Sequence, residues 1–198
     1  MAAFEKFAFE SLEQFKQKIN KLAVNMDVSE NWEVLGKPVY INGHTAPNSM
    51  AILPMEGCDG MPDGSPSDLT LRRYRRFSEG GAGVIWAEAC AVVIEGRANP
   101  RQLYIHKENK EKFKQLADMC RKNAWEANGY EPLLILQLTH SGRYSRPFDN
   151  GAPMIPQHDP LLDAKVGITA DYPVVTDDYL DQLQEKYVQA ALLAKRCV

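Results

Sequence analysis

The segment Gln137-Leu138-Thr139-His140-Ser141-Gly142-Arg143 gathers chemistry-bearing side chains at the end of an apolar run, Pro132–Leu138. An amide at the end of a buried strand offers a donor and an acceptor, which suits the edge of a flat heterocycle. Gln137 is therefore read as a ligand contact. Gly142 lets the backbone turn sharply, and Arg143 can pair with a carboxylate or phosphate. His140 is read as a structural, hydrogen-bonding histidine rather than a catalytic one. A second segment, Pro54-Met55-Glu56-Gly57-Cys58-Asp59-Gly60, leaves another apolar run through proline and glycine. Backbone can approach a planar ligand closely there, with the Glu56 carboxylate at the strand tip. Cys58 is either a redox-tuning thiol beside such a ligand or an inert loop cysteine, and the residues leave both open. Glu88 ends a third apolar run, either as a catalytic or orienting acid or as a cap for the next loop's amides, again open.

Other charged and metal-ligating residues carry less. Leu71-Arg72-Arg73-Tyr74-Arg75-Arg76-Phe77 is the strongest basic cluster. At helical spacing Leu71, Tyr74 and Phe77 form the buried face, and the arginines are expected to snorkel outward as a solvated face. His44, His106 and His158 have no ligand spacing to one another, so no metal is assigned. Cys58, Cys90, Cys120 and Cys197 form no CxxC pair, and Cys90, Cys120 and Cys197 read as small core residues.

The elements that must position these residues alternate regularly. An amphipathic helix over residues 10–24 carries Leu12, Phe15, Ile19 and Leu22, and Pro38–Gly43 reads as a short strand ending in a turn. Ser49–Pro54 suits a buried strand. After a Gly/Pro/Asp-rich loop, Ser67 is a plausible N-cap for a helix from Asp68 to Glu79. Gly80–Gly83 breaks that helix and leads into a buried strand, Val84–Glu88. A helix over about 108–127 follows, then the Pro132–Leu138 strand. The long loop from Thr139 to Val175 holds five of the 12 prolines, and residues 143–176 are where substrate preference would be encoded. Thr176 caps a last helix whose Leu180, Leu183, Tyr187, Ala190 and Ala194 share a face.

Repeated strand–helix units predict a parallel α/β protein, and near-continuous apolar strands predict a sheet covered on both faces. No GxGxxG follows a strand and no GxxxxGK[ST] is present, which removes the main support for an open nucleotide-binding sheet. A polar or special residue stands at each strand's C-terminal end, the rim from which barrel enzymes build their sites, so the barrel reading is preferred.

The chain has 198 residues, 44% hydrophobic and 25% charged, with a net charge of −3. This excludes collagen-like, disordered and coiled-coil classes and gives no overall drive toward nucleic acid or an anionic membrane. The first residues lack the pattern of a signal peptide, and no run approaches the roughly 20 apolar residues that span a bilayer. A cytoplasmic location with reduced thiols is expected.

Taken together, Pro54-Met55, the run Gly80-Gly81-Ala82-Gly83-Val84-Ile85 to Glu88, and Gln137-Leu138-x-His140-x-Gly142-Arg143 resemble the old yellow enzyme family. Order and spacing agree over roughly residues 45–198. The resemblance implies an α/β fold of the (β/α)8 TIM-barrel type with about its first three βα units present, preceded by an N-terminal helix and strand segment over residues 1–44. It implies FMN across the strand ends, with NADH or NADPH as reductant. Pro54, Met55 and Glu56 would line the isoalloxazine, Ala89 would be a backbone contact, and Gln137 would bond the pyrimidine edge.

Glu56 stands where the family commonly has a small hydroxyl or thiol residue, and a carboxylate there disfavours the anionic reduced flavin. The family's carbonyl-binding His-x-x-Asn or His-x-x-His pair would fall beyond Val198, as would the phosphate-binding loops. The expected activity is reduction of activated alkenes such as α,β-unsaturated carbonyls, on a small-molecule substrate. A half barrel leaves an unpaired strand edge, so a second copy or a missing C-terminal half is expected to cover it. Two other readings are kept: a non-catalytic α/β assembly module, and a barrel lyase or hydrolase using Glu88 and His140 as acid and base.

Overall fold

In the computed structural model, which describes residues 6–197, these expectations become helix α1 (Leu12–Lys21), strands β1 (Val39–Ile41), β2 (His44–Ala46) and β3 (Ala51–Ile52), helix α2 (Asp68–Glu79), strand β4 (Val84–Ala91), helix α3 (Lys110–Asn128), strand β5 (Leu133–Thr139), helix α4 (Pro160–Val166) and helix α5 (Asp177–Cys197). The residues at the extreme N-terminus read above for a leader, Met1 to Glu5, lie outside the described range. The chain divides into two units, Met1–Val34 and Leu35–Val198. The first holds α1, capped by Ser11, with Ile19 buried and the Phe7, Phe9 and Phe15 rings clustered at centroid distances of 4.8–5.7 Å.

In the second unit, β1 and β2 form an antiparallel hairpin, and β3, β4 and β5 form a parallel sheet in that order. Its helices start where side chains can satisfy the free N–H groups of a first turn. Ser67 accepts from the Leu69 and Thr70 N–H groups while Thr70 Oγ1 accepts from the Ser67 N–H, and Thr176 Oγ1 accepts from the Tyr179 N–H at 3.2 Å. The lower end of the sheet is fastened by Asn48, which uses its whole amide. Nδ2 donates to Gly81 O and Tyr130 Oη, and Oδ1 accepts from the Met50 and Gly83 N–H groups.

Helices α2, α3 and α5 lie against one face. Ile85 and Ala87 of β4 and Leu134 of β5 pack with Tyr74, Leu116 and Cys120, while Cys90 and Val92 pack with Phe113, Ala190 and Cys197. The parity of β4 changes between these two groups, from odd to even residues. A period-two strand can do this only through an inserted residue, and the β4–β5 register has its irregularity between Ala87 and Cys90.

Three expectations are corrected. The sheet is not covered on both faces: Trp86 is 43% exposed, and every residue of β5 is only partly buried. The Ser49–Pro54 run is a two-residue edge strand with Leu53 66% exposed, because nothing packs over its open side. The Thr139–Val175 segment is not a loop throughout. It contains α4, started by the Asp159 side chain and ended by Gly167 in the left-handed region, and a bridge between Ile155 and Val174.

Candidate active site

The irregularity in β4 falls at the strand ends singled out in the sequence. Ala87 faces Leu136 and Cys90 faces Leu138, so Glu88 and Ala89 together stand opposite Gln137. This bulge places three of the expected rim residues side by side, and bulges commonly re-aim side chains next to functional sites. Periodicity alone gave no signal for it, since VIWAEACA reads equally well without a bulge.

Glu88 is 1% exposed and fully engaged. One carboxylate oxygen accepts from the Gly57 N–H at 2.9 Å and the other from Arg73 Nη2 at 2.8 Å. The same guanidinium donates to Asp59 at 2.9 Å and, from Nη1, to Met55 O at 3.4 Å. Arg73 is thus no part of a solvated face: Arg72, Arg75 and Arg76 are exposed, but Arg73 turns inward to the loop after β3. The signal was available, because Thr70, Arg73, Tyr74 and Phe77 share the packed side of α2 at i, i+3, i+4 and i+7. Desolvation works against the Arg73 charge, but Glu88 and Asp59 outweigh it and hold the guanidinium protonated. Gly57 is required by this contact, since a side-chain carbon there would land in the Arg73 guanidinium. Tyr74 Oη accepts from the Glu88 N–H at 2.7 Å, and burial, with the Glu88 charge added, raises its phenol far above the ordinary range.

Gln102, which the sequence reading missed, joins two rim segments from a third. It is 1% exposed. Its Nε2 donates to Glu56 Oε1 at 3.2 Å and to Ala89 O at 3.3 Å, and its Oε1 accepts from the Ala98 N–H at 2.6 Å. No motif marks a glutamine in a loop as such a crosspiece. Glu56 keeps contact with solvent, yet desolvation and the neighbouring Glu88 push its carboxyl above the usual range. Cys58 adopts a left-handed φ of 49° and accepts from Asn99 Nδ2 at 3.3 Å. Desolvation and the Glu56, Glu88 and Asp59 charges raise its pKa, which keeps it a thiol rather than a thiolate.

His140 lies apart from these contacts. Its Nδ1 accepts from the Gly142 N–H at 3.0 Å, so the neutral ring carries its proton on Nε2 and donates to Tyr179 Oη at 2.9 Å. Burial lowers its pKa, in keeping with the neutral form. Arg143 pairs with the buried Asp163 of α4 and donates to Gln157 O at 2.9 Å, tying down the long loop. Among the described residues no group of three His, Cys, Asp or Glu could hold a metal, and no helix is long and apolar enough to cross a membrane.

A flat ligand fits what remains open. Leu53 and Met55, just past β3, and Trp86, part-way along β4, are 66%, 72% and 43% exposed. On β5, Gln137 Oε1 is buried without any hydrogen-bond partner, an acceptor that calls for an N–H donor. A heteroaromatic ring with an imide-type N–H edge answers both features, and the isoalloxazine of FMN is such a ring.

The chain matches the NADH:flavin oxidoreductase / NADH oxidase family over residues 34–198 and belongs to it. The family's cofactors are FMN and NAD(P)H. Among solved structures it is similar to a 2-naphthoyl-CoA reductase in complex with 2-naphthoyl-CoA, at 19% identity and a TM-score of 0.69, covering 84% of this chain and 26% of that one. A morphinone reductase in complex with tetrahydroNAD gives 21% identity and a TM-score of 0.66, with 82% and 46% covered. An old yellow enzyme homologue from Zymomonas mobilis gives 20% identity and 0.64, with 82% and 45% covered. These likenesses concern the fold, and the chain spans less than half the length of each of these relatives. No curated protein matches the sequence.

Proposed function

We propose that this chain forms the N-terminal half of an FMN-dependent NAD(P)H oxidoreductase barrel, about three of its eight βα units, and that its strand-end rim lines the flavin. Pro54, Met55, Glu56, Ala89 and Gln137 are the lining residues. When bound, FMN supplies hydride transfer from NADH or NADPH to an activated alkene such as an α,β-unsaturated carbonyl. Gln137 offers its amide oxygen to a ring N–H, the Ala89 carbonyl is aligned by Gln102, and the Arg73–Glu88–Gly57 contacts hold the Pro54–Glu56 backbone under the ring. The open side of the sheet is covered by a second copy or by the other half of the barrel.

The observation that carries this reading is the unpartnered Gln137 Oε1 opposite the Glu88–Ala89 bulge, in a chain of the flavin family. The lyase or hydrolase reading loses its support: Glu88 is saturated by Arg73 and Gly57, and His140 is engaged by Tyr179 and Gly142. A pure assembly module is separated from the flavin reading by titrating the chain with FMN while following backbone and side-chain amide resonances. The flavin reading expects shifts at the rim that weaken in Gln137→Ala. An assembly module expects none.

A further inference from the structure

Three carboxylates and one guanidinium meet at the rim, and they are not equivalent. Arg73 spends its two Nη2 contacts on Asp59 and Glu88, at 2.9 and 2.8 Å, and its remaining terminal nitrogen on Met55 O. Glu88 also accepts from the Gly57 N–H, so both of its carboxylate oxygens are engaged within the fold. Among the described residues Glu56 has neither a cation nor a backbone N–H as partner, only the neutral amide of Gln102 at 3.2 Å. Its charged neighbour is Glu88 on β4, and Cys58 in its own loop faces Glu56, Glu88, Asp59 and Arg73 together. Glu56 also touches solvent, which gives its proton a route in and out. Any negative charge arriving at the rim therefore acts on Glu56 before it acts on Glu88 or Asp59.

We infer that Glu56 is the proton-exchanging group of this rim and takes up a proton when the ligand seated there becomes anionic. The inference rests on the flavin reading of the site. In the reductive step NAD(P)H delivers a hydride, one proton and two electrons, to the flavin, leaving NAD(P)⁺ and a reduced ring with one negative charge. The Glu56 carboxylate takes one proton from solvent and becomes the neutral acid. The rim then carries the same net charge before and after reduction. The carboxylate that would oppose an anionic reduced flavin is thereby removed at the moment that flavin forms, and Gln102 keeps the acid in place by its bond to Glu56 Oε1.

The test is calorimetric binding of oxidised and of chemically reduced FMN to the chain, anaerobically, in buffers of different ionisation heat, which counts protons taken up on binding. The pH is set where the carbon-13 signal of the Glu56 carboxyl shows it ionised in the free chain. The wild-type chain is expected to take up about one proton more per reduced FMN than Glu56→Gln, with no such difference for oxidised FMN. Glu56→Asp, which keeps a carboxylate, should retain the uptake. Equal uptake by wild type and Glu56→Gln, with both binding, overturns the inference and leaves the flavin reading standing. Failure of the wild-type chain to bind FMN in either form overturns the flavin reading and the inference with it.

Discussion

The same sheet is packed by helices on one face and, on the other, is open at Trp86 and only partly buried along β5, while Glu88–Ala91 of β4 are buried on both sides. Toward the helices, Ile85 is 1% exposed and packs with Tyr74, Leu116 and Cys120, and the bulge in β4 keeps Cys90, and Val92 just past the strand, on that side. Toward the opposite side, Trp86, one residue along, is 43% exposed, and Gln137 carries an amide oxygen with no partner. The covered face is packed as a protein interior is, and the Glu88 carboxylate and the Arg73 terminal nitrogens on that side are hydrogen-bonded. The open face shows Trp86 to solvent part-way along β4, and further toward the strand ends, where Glu88 and Gln102 hold the loops, it carries the unpartnered Gln137 oxygen.

The two faces should differ most in what they contribute to stability. Arg73→Ala would leave Glu88 buried with only the Gly57 and Tyr74 contacts, and should cost about 3 kcal/mol in urea unfolding. If Arg73 were the solvated arginine its cluster suggests, the loss would stay within about 0.5 kcal/mol. Ile85→Ala should cost a similar amount, about 3 kcal/mol, against about 1 kcal/mol for Trp86→Ala, although the tryptophan is the larger residue. Equal costs would mean that the two faces are covered alike. Asn48→Ala, which strands several buried backbone partners, should cost about 2 kcal/mol.

A pH series gives a smaller effect. Burial lowers the His140 pKa, so the unfolded chain binds its proton more readily than the folded one. Stability contributed by the neutral ring is present above the unfolded value of about 6.5 and is lost as pH falls below it. Unfolding midpoints should therefore decline on acidification through that window, and less so in His140→Gln. Smallest of all, Gln137→Ala should change stability by less than about 0.5 kcal/mol, since it removes an unsatisfied group rather than a bond, while weakening any flavin contact at the rim.

Much of the element order was legible because it is local. Ser67 and Thr176 announce their helices through capping, and the apolar spacing of α3 and α5 matches the residues that pack. The rim residues Glu88, Ala89 and Gln137 were also legible, since polar groups ending apolar runs stand out. What brings them together was not: the bulge leaves no trace in a pattern of alanines, and Gln102 joins residues 46 and 13 positions away along the chain. Arg73 was misread because composition treats four neighbouring arginines alike, whereas their position around α2 sends one of them inward. The openness of the Leu53 and Trp86 surface follows from what the sheet lacks as a neighbour, which no local pattern in the strands reveals.

The most direct test of the central claim, that the open strand ends are a flavin surface, is titration of the isotope-labelled chain with FMN, read at the Gln137 and Gln102 side-chain amides and the backbone amides of residues 55–57 and 88–90. The account predicts saturable shifts confined to these groups and reduced in Gln137→Ala. Shifts centred elsewhere in the chain, or none at FMN concentrations far above those of the protein, would contradict it.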